Sequence, residues 1–179
     1  MLQQPNNIFF HFFERAYPRL LARDQGTLQK MVETCSRIKA RVVEQDEYDR
    51  EGKRVILNYG HTLGHALEQV AGYRASHGRA ISVGMLLAAE IAEALGLFNR
   101  RDTERIETLL KKVGLATRIP EIAPRRRWSV ETILKAEGYD KKFIHGRARW
   151  VLPTRIGEVT VTEEVPTALV QRVLRRYVE

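Results

Sequence analysis

The chain has 179 residues, 44% of them hydrophobic, which is enough for one globular domain with its own core. Thirty Lys and Arg against 22 Asp and Glu leave a formal charge of +8, favouring an anionic partner such as nucleic acid or a phosphorylated metabolite. A single cysteine, Cys35, excludes an internal disulfide and a thiolate-rich metal site, and no apolar run reaches the roughly 20 residues that span a bilayer, so a cytoplasmic protein without a membrane partner is expected.

The opening "MLQQPNNIFFHFFERAY" lacks the basic start and small-residue cleavage site of a signal peptide. "NNIFFHFFERAYPRLLAR" predicts a short helix capped by Asn6 or Asn7 and interrupted or ended by Pro18. Leu28, Met31, Val32, Cys35, Ile38 and Val42 recur at steps of three and four, predicting an amphipathic helix with Asp24 as its N-cap and Cys35 in the core. After the polar connector "DEYDREGKR", the apolar pattern resumes at Val55 and runs through Leu57, His61, Leu63, Leu67 and Val70, predicting a third helix that ends at Gly72. Ala80 to Leu95 is apolar on nearly every face, as in a helix buried in the middle of a bundle, and Gly96 closes it. "DTERIETLLKKVG" predicts a charged surface helix capped by Asp102 or Thr103.

Beyond it, the basic run "PRRRW" at Pro124 to Trp128 lies in a proline-bounded loop and reads as solvated surface. Val130 to about Glu137 predicts a short helix capped by Ser129, and "RARWVLPTRIGEVTVTEE" alternates like a two-stranded hairpin turning near Ile156 and Gly157. Thr167 to Tyr177 sets Leu169, Val173, Leu174 and Tyr177 on one helical stripe. The expected fold is mainly α, a helical bundle with a small C-terminal β-hairpin, in one domain over residues 1–179.

Three of the five histidines fall within "LNYGHTLGHALEQVAGYRASHG". On a helix, His61 and His65 stand at i and i+4, with Asn58 one turn earlier and Glu68 one turn after His65, so these side chains share a face. Two imidazoles and a carboxylate suit a borderline cation such as zinc, and a catalytic site wants three protein ligands and an open position. His77 opens the buried helix, where a nearby turn is able to bring its imidazole back toward the cluster; spacing leaves open which two histidines ligate. Lys39, Arg54, Asn58, Lys141 and Lys142 are the surrounding groups able to hold carboxylate or phosphate oxygens, or else surface charge.

In order, "KARVVEQDE", "LNYGHTLGHALE", "HGRAISVGM", "DKK" and "RARWVLPTRIG" resemble the C-terminal domain of the 3-dehydroquinate synthase family of sugar phosphate cyclases, over nearly the whole chain. The resemblance implies a helical domain that follows an N-terminal Rossmann-like NAD-binding domain, with the active site in the cleft between them. It implies a phosphorus–oxygen lyase that converts 3-deoxy-D-arabino-heptulosonate 7-phosphate into 3-dehydroquinate and phosphate in the shikimate pathway, the route to chorismate and the aromatic amino acids. NAD oxidises one hydroxyl transiently and ends the cycle unchanged. By the same resemblance His61 and His77 hold a divalent metal, zinc or cobalt, while His65 and Asn58 contact the phosphate. Arg54 and Lys39 lie near the carboxylate and ring hydroxyls, and one of Lys141 and Lys142 binds phosphate. Glu68 fits the family pattern as a structural residue.

The family's third metal ligand, a glutamate in an "AEVIK"-type segment, has no counterpart in these residues, nor has the lysine that closes that segment. No Gly-rich phosphate turn follows a strand, so no dinucleotide-binding domain is read here. "HGRA" places Arg79 where the family usually carries an acidic residue, and the connector is one residue longer than usual, leaving Asp49 or Glu51 for the family's acidic position. The expectation is therefore the metal and substrate half of a dehydroquinate synthase, inactive as an isolated chain, that takes a phosphorylated keto acid and pairs with an NAD-binding domain or with itself. A related sugar phosphate cyclase and a non-catalytic paralogue are the alternatives. A nucleic-acid partner is not expected, because the basic residues are spread over several segments.

Overall fold

A computed structural model describes residues 6–48, 50, 52–73, 75–136 and 149–178. In chain order these form α1 (Asn6–Leu21), α2 (Gln25–Glu44), a 3-10 helix (Lys53–Asn58), α3 (His61–Val70), α4 (His77–Ala94), α5 (Arg100–Lys112), α6 (Ile119–Ile122), α7 (Val130–Ala136), β1 (Trp150–Arg155), β2 (Glu158–Thr162) and α8 (Thr167–Val178). The fold is mainly helical with one antiparallel hairpin, as the sequence implies. Among the described residues no helix is long and apolar enough to cross a membrane.

The centre is α4, which packs against α3, α5, α6, α8 and β1. Its Val83, Leu86, Leu87, Ala89, Ile91 and Ala92 are fully buried, which explains why it is apolar all round. Leu63 and Leu67 of α3, Ile133 of α7, Trp150 and Leu152 of β1, and Val173, Leu174 and Tyr177 of α8 complete the core. Each such leucine stabilises the fold by about 1.5–3 kcal/mol. The hairpin pairs Trp150 with Thr162 and Leu152 with Thr160, and its register breaks between Pro153 and Arg155, where a proline without an N–H is tolerated. Gly157 turns it with φ +91°.

Two anticipated caps hold: the Asp24 carboxylate accepts from Thr27 N at 2.9 Å, and Ser129 Oγ accepts from Thr132 N at 3.2 Å. Four expectations need correction. Pro18 does not end α1, because Ala22 N donates to the Pro18 carbonyl and Asp24 N to that of Arg19, completing the last turn around the missing donor. The cap of α5 is Asn99, whose side chain accepts from Asp102 N, so Asp102 and Thr103 lie inside the helix. Cys35 is exposed, and Val32 is 57% exposed, because α2 lies at the edge of the bundle and buries only Thr27 and Val42. The helix expected from Val55 to Val70 is two helices, broken at Tyr59 and Gly60.

That break has a packing cause. Gly60 adopts φ +80°, and a Cβ there would lie 2.7 Å from Met85 N and 3.0 Å from the Ile81 carbonyl. Only a glycine lets the chain approach α4 this closely while turning left-handed.

Candidate metal and anion site

The contacts of α3 with α4 run in opposite directions: Gly60 meets Met85, Gly64 meets Ile81, and Glu68 meets His77. The two helices are therefore antiparallel. A Cβ on Gly84 would lie 2.1 Å from the Gly60 carbonyl oxygen and 3.0 Å from Gly64 N, so the pair is packed backbone against backbone.

This registry brings the first residue of α4, His77, to the stripe of α3 that carries His61, His65 and Glu68. The ring centroids of His61 and His77 are 5.5 Å apart, those of His61 and His65 5.1 Å, and those of His65 and His77 6.1 Å. His77 Nδ1 lies 3.0 Å from Glu68 Oε2, and His61 Nδ1 lies 3.2 Å from the Tyr59 carbonyl oxygen. One ligand atom each from His65, Glu68 and His77 can be drawn within 4.8 Å of one another. His65 and His77 are exposed, while His61 and Glu68 are half-buried, so the cluster opens to solvent on one side. No side chain caps the start of α4, and the helix dipole favours an anion beside His77.

Tyr59 was not legible as a site residue. Its hydroxyl donates to the Met85 carbonyl at 2.9 Å, and burial pushes the phenol far above its ordinary range, so it remains a donor. That bond ties the start of α3 to α4. Only the neighbouring glycine hints at it in the sequence.

The other expected residues are placed as follows. Arg54 and Asn58 sit on the 3-10 helix just before α3, Arg54 half-buried and Asn58 exposed. Asn58 is separated from His61 by the left-handed turn, so the two do not share a helical face. Lys39 is exposed on α2, which packs on the 3-10 helix. Lys141, Lys142, Asp49 and Glu51 lie outside the described residues. Arg79 turns from the histidines to the Glu121 carbonyl, to which its Nη2 donates at 2.8 Å. A concavity of about 520 Å³ runs along α1, lined by Ile8, Phe12 and Arg15 among others and by none of the clustered histidines.

The described helices and hairpin have the fold of the C-terminal domains of solved sugar phosphate cyclases. Residues 5–143 match the family model described as 3-dehydroquinate synthase C-terminal. The chain belongs to the 3-dehydroquinate synthase family. It is 41% identical over 167 residues to the 3-dehydroquinate synthase of Desulforamulus reducens, covering 93% of this chain and 45% of that protein. To the 3-dehydroquinate synthase of Nostoc punctiforme it is 47% identical over 138 residues, 76% of this chain and 36% of that protein. The chain thus spans less than half the length of these curated relatives.

Among solved structures it resembles 2-deoxy-scyllo-inosose synthase complexed with carbaglucose-6-phosphate, NAD+ and Co2+, with a TM-score of 0.69 and 26% identity over 85% of this chain and 42% of that one. It also resembles 2-epi-5-epi-valiolone synthase from Streptomyces hygroscopicus, solved with NAD+ and Zn2+, with a TM-score of 0.74 at 16% identity over 93% of this chain and 46% of that one. At that identity the second likeness speaks to the fold alone.

Proposed function

We propose that these residues are the metal- and substrate-binding half of a 3-dehydroquinate synthase, which converts 3-deoxy-D-arabino-heptulosonate 7-phosphate into 3-dehydroquinate and phosphate in the cytoplasm. The observation that carries this reading is the approach of the His61 and His77 rings to 5.5 Å on two antiparallel helices. Two imidazoles, His61 half-buried and His77 exposed, suit zinc or cobalt. When bound, the metal supplies Lewis acidity toward the hydroxyl and carbonyl of the substrate.

In this reading His65 and Asn58 face the phosphate leaving group, assisted by the positive end of α4 and by Lys141 or Lys142. Arg54 offers a planar, bidentate grip on the substrate carboxylate and Lys39 a point charge for its hydroxyls. NAD+ and the family's third metal ligand come from a dinucleotide-binding unit outside these helices, in the same polypeptide or a separate one. The 179 residues alone therefore bind metal but do not turn over, and their cleft face associates with that unit or with a second copy. Identity of 41–47% to dehydroquinate synthases, against 26% to 2-deoxy-scyllo-inosose synthase, supports the seven-carbon acid over another sugar phosphate.

Calorimetric titration of the chain with zinc tests the reading. Micromolar or tighter binding that is lost in both His61→Ala and His77→Ala is expected. A wild-type chain that binds no zinc, or two variants that bind as tightly as wild type, would sink it. Supplying the NAD-binding unit then restores phosphate release from the heptulosonate phosphate; a folded complex that releases none counts against the reaction assigned.

A further inference from the structure

Building on the reading that His61 and His77 hold the metal, we infer that Glu68 is a positioning residue, which together with the Tyr59 carbonyl sets the ring nitrogen each histidine offers. Glu68 Oε2 lies 3.0 Å from His77 Nδ1, and the Tyr59 carbonyl oxygen 3.2 Å from His61 Nδ1. A peptide carbonyl and an ionised carboxylate can only accept, so in both pairs Nδ1 carries the hydrogen. A neutral imidazole has one N–H and one lone pair, which leaves the lone pair of both rings on Nε2. Both histidines are thereby locked in the form that donates Nε2 to a cation.

Each accepting group is itself held. Tyr59 is anchored by its hydroxyl to Met85, and the Glu68 side chain is only 15% exposed on the stripe of α3. His65, on the same stripe, has no hydrogen-bond partner among the described residues and packs edge-on against the His61 ring, 5.1 Å between centroids. The carboxylate also polarises the His77 ring, making its free nitrogen a stronger electron-pair donor.

The test uses the full chain with zinc as probe. Heteronuclear NMR of the imidazole nitrogens in the metal-free protein reads which nitrogen is protonated, and calorimetry reads zinc affinity. We expect His77 protonated on Nδ1 in the wild type and shifted toward Nε2 in Glu68→Ala, with zinc affinity about 10–100-fold weaker. Glu68→Gln, which keeps the size and one acceptor oxygen, falls between, and it carries the same two readouts if Glu68→Ala does not fold. An unchanged His77 tautomer, or unchanged zinc affinity in the variant, overturns the inference while leaving the metal reading intact. Zinc binding that survives His61→Ala but is lost in both His65→Ala and Glu68→Ala makes Glu68 a direct ligand and overturns it as well. A wild-type chain that binds no zinc removes the metal reading, and the inference with it.

Discussion

Gly84 and Gly60 meet backbone to backbone: a Cβ on Gly84 would lie 2.1 Å from the Gly60 carbonyl oxygen. The contact sets the spacing of α3 and α4, and with it the distance between His61 and His77. Neither glycine has a side chain to offer the candidate site, yet both decide its geometry.

Gly84→Ala is therefore expected to destabilise the fold by about 3 kcal/mol, the upper end for overpacking, because the obstacle is backbone and not a side chain that can swing away. Gly96→Ala is the control. Nothing lies within 4 Å of a Cβ there, so only the strain of φ +72° remains, about 1 kcal/mol. Urea unfolding midpoints measure both, and equal losses would show that the helix contact is not tight.

Arg79 donates to the Glu121 carbonyl instead of facing the histidines, so its charge does not oppose a cation. Arg79→Ala should leave zinc affinity unchanged and cost about 1 kcal/mol of stability for the lost hydrogen bond. A clear rise in affinity, read by calorimetry, would mean that the guanidinium turns inward.

Glu14 of α1 receives Arg105 Nε and Nη2 of α5, each at 2.9 Å, and these hydrogen bonds, with help from His11, hold its carboxyl below the ordinary glutamate range. A carboxyl lowered in the folded state contributes stability above its unfolded-state value and loses it as pH falls through its folded-state value. Glu14→Gln should cost about 1 kcal/mol at neutral pH, discounted for partial exposure, and should flatten the acid limb of a stability-versus-pH curve. Parallel curves for the two proteins would rule out this contribution.

Cys35 is exposed on α2, while partial desolvation pushes its thiol above the ordinary cysteine range. A disulfide reagent should modify one equivalent without denaturant. The rate should lie below that of a free thiol at the same pH and climb as pH rises, since the thiolate is the nucleophile. Modification only after unfolding would return Cys35 to the core.

Much of the local structure was legible from periodicity and caps. Asp24 and Ser129 mark their helices because each puts a side-chain acceptor before an apolar run, and the all-round apolar pattern of Ala80 to Leu95 marks the central helix. The shared face of His61, His65 and Glu68 follows from spacing alone. Cys35 was misread because a 3.6-residue period identifies a face without saying what covers it. Asn99 was passed over as a cap because Asp102 and Thr103, three and four residues later, carry equally good capping side chains.

By itself, then, the sequence determined which residues could form a site: the stripe on α3, the buried character of α4 and the ordered motifs that mark the family. Only the tertiary structure decided where α3 begins, that Asn58 leaves its face, that Glu68 pairs with His77, and that Arg79 looks away. The last depends on α6, whose Glu121 carbonyl takes the guanidinium, and the first three on how closely two antiparallel helices approach and in what registry. That approach is set by long-range backbone contact at three glycines, which no local period encodes.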